Sequence, residues 1–239
     1  MESFQGIFLK QIPFKESSKI MHIYTDEGLK SVLIHGAKRL KSPFLASSDV
    51  LNEVICHTSG KDLLTLVDLS IVEHYDHIRE DVIKTTFAQH ICELVLHVAD
   101  SSIDHKRLKP FLSKVLQRIN TTDQAVLYVY MFELKLLYLL GLQPSLKQCL
   151  ICQSSKDLTL SVLDGGARCE THLAHKETWS EELRQLASVL YYHDITNDIT
   201  WTIDEGLISE CRRFLDRYYE VYLNYRTKSR NVWMGLLGY

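Results

Sequence analysis

The spacing of apolar residues changes once along this 239-residue chain, near Tyr75, and that change limits the fold more than any other feature. Before it lie short runs rich in β-branched and aromatic residues, at 6–12, 20–25, 29–35, 50–57 and 63–75, separated by Gly, Pro or charged turns. Five such runs predict a small closed barrel of the OB kind. Beyond Tyr75 the residues Ile83, Phe87, Ile91, Leu94, Val95 and Val98 recur on one face at helical spacing, which predicts a helix of about five turns. A boundary within 76–80 follows. The expected architecture is α+β: a five-stranded OB-fold barrel over 1–78, then an α-helical domain over 79–239 that carries an inserted zinc-binding loop at 146–175.

The helical part is marked by apolar stripes and end signals. Residues 108–119 predict a second helix through Leu108, Leu112, Val115 and Ile119, with Pro110 accepted in its first turn. Thr121 with Gln124 matches a capping box, Val126, Val129, Phe132, Leu136 and Leu140 form a stripe, and Gly141 stands where a helix closes in a left-handed conformation. Thr178 with Glu181 and Thr202 with Glu205 are read as openers of two further helices. The apolar run 125–142 carries Glu133 and Lys135 near its middle, so it reads as a core helix rather than a membrane span.

Residues 149–172 hold the sharpest chemical signal. Cys149-Leu-Ile-Cys152 is followed after sixteen residues by Cys169-Glu-Thr-His172. A two-residue gap lets both ends of a tight turn point at one tetrahedral ion about 2.0–2.3 Å away. Gly165-Gly166 before the second turn supplies backbone freedom. His175 is the competing fourth ligand, and the two-residue gap favours His172. Four protein ligands make a closed, structural zinc site, one Zn2+ per chain. No His-x-Glu partner occurs that a deaminase-type catalytic zinc would need. The other cysteines, Cys56, Cys92 and Cys211, lie scattered in apolar segments and read as buried thiols.

With 46% apolar and 24% charged residues the composition is that of an ordinary globular protein. A formal net charge of -3 argues against a chain that coats nucleic acid by bulk charge. The average hides a polarity, however, because residues 1–45 carry seven Lys or Arg against four acids and residues 206–239 carry six against three. Both ends are therefore +3, and a polyanion would be met there. The basic stretch 36–43, with Lys38, Arg39 and Lys41, falls between the third and fourth strands, where barrels of this kind use loops to hold nucleic acid. There is no phosphate-cradling Gly-x-x-x-x-Gly-Lys loop and no Gly-x-Ser-x-Gly nucleophile elbow, so no catalytic residue is assigned and the chain is read as a non-enzyme. His74, His77, His90 and His97 read as structural or solvent-exposed. The N-terminus lacks the features of a secretory signal, which predicts a cytoplasmic protein.

The barrel with its Lys38-Arg39 loop, the helical second half and the Cys-x-x-Cys insertion closed by Gly-Gly-x-x-Cys-x-x-His resemble the RecO family of bacterial recombination mediators. Stretches carrying the likeness are residues 6–10 and 24–28, Phe132-Glu133-Leu134-Lys135-Leu136-Leu137 with Gly141-Leu142, and the terminal Lys228-Ser229-Arg230. Many relatives close the zinc site with a fourth cysteine, and here His172 takes that place. The resemblance implies a DNA repair protein, cytoplasmic and nucleoid-associated, that binds single- and double-stranded DNA and anneals complementary strands. It implies work with RecR and with the C-terminal tail of single-strand-binding protein, bound by the helical half, so that RecA is loaded. Lys10, Lys19, Lys30, Lys38, Arg39, Lys41 and Arg230 are the candidate DNA contacts. The competing reading is a scaffold whose zinc knuckle binds a protein without direct annealing.

Overall fold

The structure, a computed structural model, describes the chain apart from residues 40, 43, 45–48, 62, 176, 178, 238 and 239 and the side chains of 234 and 237. Pro43 of the basic stretch and Thr178 as a helix opener lie outside the described residues. Two compact units follow one another, Met1–Asp123 and Gln124–Tyr239.

Five strands build the first unit: β1 (Glu2–Phe14), β2 (Ser18–Thr25), β3 (Gly28–Ile34), β4 (Glu53–Ser59) and β5 (Leu64–Glu73). They close into a barrel in the order β1-β2-β3-β5-β4, with β4 returning to β1 and a parallel β3–β5 pair among antiparallel neighbours. The expected five-stranded barrel is present. Alternate residues turn inward, so Phe8, Met21, Ile23, Val32, Ile34, Val54, Cys56 and Leu66 fill the interior. The β2–β3 hairpin turns at Asp26-Glu27, where Gly28 takes φ +107° and Thr25 Oγ1 donates to its carbonyl at 2.9 Å. β1 is longer than its apolar run: Gln5 pairs with Ile55 of β4, and Gln11 pairs with Met21 of β2 beyond a bulge between Phe8 and Lys10.

Three helices complete this unit: α1 (Asp76–Glu80), α2 (Val82–Val98) and α3 (His105–Thr121). Asp81 caps α2 by accepting from the amides of Ile83 and Lys84, and Asp104 caps α3 by accepting from Arg107. That cap starts α3 three residues earlier than the apolar stripe suggested, so Pro110 sits in the second turn rather than the first. Asn120 Oδ1 accepts from the Ile78 amide, tying α1 to the end of α3. On the barrel, buried Glu53 accepts from Lys109 Nζ at 2.6 Å, Gln5 Nε2 at 2.8 Å and the Tyr75 hydroxyl at 3.1 Å. Burial alone would raise the Glu53 carboxyl, but the Lys109 ammonium and the Gln5 amide hold it below its ordinary value.

The second unit is arranged around α4 (Ala125–Leu139), with eleven of its fifteen residues buried on every side of the helix. A stripe would have been enough for a surface helix; here α5 (Glu181–Tyr192), α6 (Glu205–Leu223) and α7 (Lys228–Leu237) cover the remainder. Gly141, φ +73°, ends α4 in a Schellman closure: its amide donates to Tyr138 and the Leu142 amide donates to Leu137. The starts differ from expectation. Thr121 ends α3 and donates its hydroxyl back to Gln117, so α4 opens at Gln124 without a side-chain cap. α5 and α6 are capped by Ser180 and Asp204, which accept from Leu183 and Leu207. Between α4 and α5 lies a two-stranded ribbon, β6 (Leu158–Ser161) and β7 (Gly166–Cys169). Among the described residues no helix is long and apolar enough to cross a membrane.

Candidate metal centre and nucleic-acid surface

Gly166 makes the metal centre possible. It takes φ +119°, and a Cβ there would lie 2.3 Å from the carbonyl oxygen of Ser145. With no side chain, the ribbon lies against the segment before Cys149: the Ser145 amide donates to Gly165 at 3.1 Å and the Ala167 amide to Ser145 at 2.7 Å. The doublet thus allows a close backbone approach in addition to a turn. On one side the first knuckle is fixed by Cys149 donating to Ser154 and by Gln153, at φ 60°, donating to Cys149. On the other, Cys169 closes β7 and a short 3-10 turn, Glu170–His172, carries the histidine.

Ligand atoms of Cys149, Cys152, Cys169 and His172 all lie within 4.8 Å of one another. Cys149 Sγ is 3.7 Å from His172 Nδ1, Cys152 Sγ is 3.6 Å from Cys169 Sγ, and Cys169 Sγ is 3.2 Å from His172 Nδ1. A tetrahedral ion with bonds of about 2.0–2.3 Å separates its donors by roughly 3.3–3.8 Å, close to these spacings, so the four groups fit one metal ion. Burial pushes the Cys149 thiol up, but the amides of Cys152, Cys169 and Ile151 and the Cys169 thiol outweigh it and bring it down to about 5. The Thr171 hydroxyl, 3.1 Å from Cys169 Sγ, is the leading cause that lowers Cys169, and the bond to Cys169 raises His172. A bound cation needs the three sulfurs as thiolates and the ring neutral, so it would be taken up with release of their protons.

His175 is turned elsewhere. Its Nδ1 lies 2.9 Å from Asp164 Oδ1, and its amide donates to Asp164 Oδ2. Burial raises the Asp164 carboxyl, yet the His175 ring and amide bring it down to about 2. Asp164 therefore anchors the chain beyond the second knuckle, and it is His172 that faces the three sulfurs.

The basic residues divide into three groups. Lys19 opens β2 opposite Ile34, where β3 ends, and Lys38, Arg39 and Lys41 follow that end directly, all three exposed. The Lys38 amide donates to Ser17 and its Nζ to Lys15, so the loop lies on the β1–β2 turn and adds Lys15 to the cluster. Lys10 is exposed on β1 beside His22, whose pKa is lowered by burial and then by that lysine. Lys30 is not with them. It is paired with Ile23 four residues down β3, where it bonds Glu2, lies 2.7 Å from Glu27 and caps the Phe4 ring. Arg230 is enclosed in the second unit, 2% exposed, with Nη2 on Glu133 at 2.8 Å and Nε on Asp216 at 2.5 Å. Two of the seven candidates are thus neutralised by carboxylates. The C-terminal segment whose sequence is basic places Arg230 inside, while Arg212, Arg213, Arg217 and Arg226 line a cleft of about 540 Å³ together with the acids Asp216 and Glu220, Arg212 being largely buried and Arg217 lying 3.3 Å from Glu220. The run Arg212-Arg213 with Arg217 on α6 was the available signal.

A family model described as Recombination protein O C terminal matches residues 79–231, and one described as Recombination protein O N terminal matches residues 1–75. The chain belongs to the RecO family. Among its relatives, the DNA repair protein RecO of an Exiguobacterium strain is 28% identical over 236 residues, covering 97% of this chain and 95% of the relative. The DNA repair protein RecO of Bacillus pumilus is also 28% identical, over 95% and 91%, and that of Listeria innocua is 25% identical, over 96% and 92%. Membership in the RecO family makes this a protein of DNA repair and recombination, with its partners in those processes.

Proposed function

We propose that this RecO-family chain is a non-enzymatic recombination mediator that grips DNA by its phosphates at one end of the barrel and anneals complementary strands. The observation carrying this reading is the gathering of Lys15, Lys19, Lys38, Arg39 and Lys41 around the β1–β2 turn, where Glu16 is the acid of the turn, while Glu2 and Glu27 occupy Lys30 and Glu53 occupies Lys109 elsewhere. Phosphate neutralisation without base readout gives salt-dependent binding of single and double strands and leaves bases free to pair. The arginine-lined cleft of the second unit is a further place for phosphates. In the cytoplasm, at the nucleoid, the chain acts with RecR and with the C-terminal tail of single-strand-binding protein, bound by the helical half, to promote RecA loading. Residues 1–78 serve as the DNA-binding domain and 79–239 as the partner-binding domain. The bound ion is Zn2+, one per chain, and its chemistry is structural: three thiolates and an imidazole close its coordination, and it joins two knuckles that have little core of their own. Strand annealing followed by fluorescence tests the reading. Lys38→Glu with Arg39→Glu is expected to abolish it, and annealing that persists unchanged would overturn the assignment.

A further inference from the structure

Both α4 and α5 carry tyrosines in their last turn, and these side chains meet. Tyr138 lies in the last turn of α4, and Tyr191 and Tyr192 close α5. The Tyr138 and Tyr191 rings are 6.2 Å apart at 80°, and Tyr191 and Tyr192 are 4.9 Å apart at 85°. Such edge-on packing suits the ring quadrupoles but leaves faces uncovered. Tyr138 remains 50% exposed and Tyr192 58% exposed. The Nζ of exposed Lys147 lies 3.6 Å from the Tyr192 ring centroid, a cation–π contact that keeps the ammonium at the surface with donors to spare.

Lys147 is held in place from both sides. Arg184 Nη1 donates to the carbonyl of Leu146 at 2.6 Å, and the first knuckle of the metal centre begins at Cys149. The metal centre thus fixes the segment that carries the lysine.

We propose that Tyr138, Tyr191, Tyr192 and Lys147 form a stacking platform for unpaired nucleobases, with Lys147 as the cation that meets the neighbouring phosphate. Aromatic faces beside a cation are the chemistry by which single strands are held, because every base has a π-face while a duplex keeps its faces stacked on one another. A partner helix would need a stripe of aliphatic residues, and here only Val189, one turn before Tyr192, adds exposed aliphatic surface on α5. The inference rests on the nucleic-acid role proposed above and adds to it a place where bases, rather than phosphates, are held.

Fluorescence anisotropy with the full chain tests it, using labelled oligothymidylate and an abasic strand of the same length and charge. Wild type is expected to bind the base-bearing strand more tightly. Tyr138→Ala with Tyr192→Ala should weaken that strand by about tenfold or more and leave the abasic strand unaffected. Tyr138→Phe with Tyr192→Phe keeps the rings and should bind as wild type; weakening there as well would overturn stacking in favour of the hydroxyls. Binding of both strands with a ratio insensitive to the alanine pair sinks the platform alone, whereas a wild type that binds neither strand sinks the nucleic-acid role with it.

Discussion

Arg230→Met separates a folding role from a DNA role at one position. The guanidinium is 2% exposed, bonds Glu133 at 2.8 Å and Asp216 at 2.5 Å, and lies 4.5 Å from the Trp233 ring centroid. Trp233 in turn stacks on Tyr130, so the arginine holds α7 to the central helix. Burial opposes its charge, but the two carboxylates outweigh this and raise its pKa further above the ordinary guanidinium range. Methionine fills much the same volume and removes the cation from beside Glu133, itself 1% exposed. Breaking a buried pair from one side costs about 3–5 kcal/mol. In a chain of this size each kcal/mol lowers the midpoint by about 2–4 °C, so a fall of roughly 10 °C is expected. Differential scanning calorimetry reads the midpoint, and anisotropy well below it reads DNA affinity, which should change little, by no more than the effect of Asp216 left unpaired in the arginine-lined cleft. Adding Glu133→Leu should recover part of the loss, because the stranded carboxylate is what destabilises. A variant that melts like wild type but binds DNA more weakly would refute the argument and return Arg230 to the DNA surface.

Two further outcomes follow. The purified protein should carry about one zinc per chain by elemental analysis, and Cys152→Ser or chelation should lower the melting midpoint of the second unit and open residues 144–175 to protease; a metal-free protein with unchanged melting contradicts the structural role. Glu53, whose folded pKa is held below its ordinary value of 4.5, contributes stability that is complete above that pH and is lost as the pH falls below it. Glu53→Gln should therefore flatten the dependence of unfolding free energy on pH on the acid side, and an identical acid limb in the variant would remove Glu53 from the account.

The period change at Tyr75 and the two cysteine turns were legible because each depends on local spacing: alternation makes a strand, and two-residue gaps make a metal knuckle. Element starts were less so. Thr121, Thr178 and Thr202 read as openers, whereas α4 starts at Gln124 with no side-chain cap and Ser180 and Asp204 cap α5 and α6. Spacing from a stripe shows that a helix exists, but the side chain that reaches the free amides decides where it begins. Charge was legible only as a sum. Lys30 and Arg230 count as cations in the sequence, and what cancels them are Glu2, Glu27, Glu133 and Asp216, three of them more than ten residues away along the chain. Lys15, read as one base among seven, gains its place from the Lys38 ammonium bonded to its carbonyl. Gly166 was expected to bend, and it also lets Ser145 approach, a contact between segments that no local pattern announces.

The salt dependence of single-strand binding tests the basic barrel end most directly. For single strands the slope of log affinity against log salt is about -0.7 per neutralised phosphate, so Lys38→Ala with Arg39→Ala and Lys41→Ala should make it shallower by about 2. Lys30→Ala, whose ammonium is already met by Glu2 and Glu27, should leave the slope where it was. If the triple variant keeps the wild-type slope and affinity, the phosphates are held somewhere other than the β1–β2 turn.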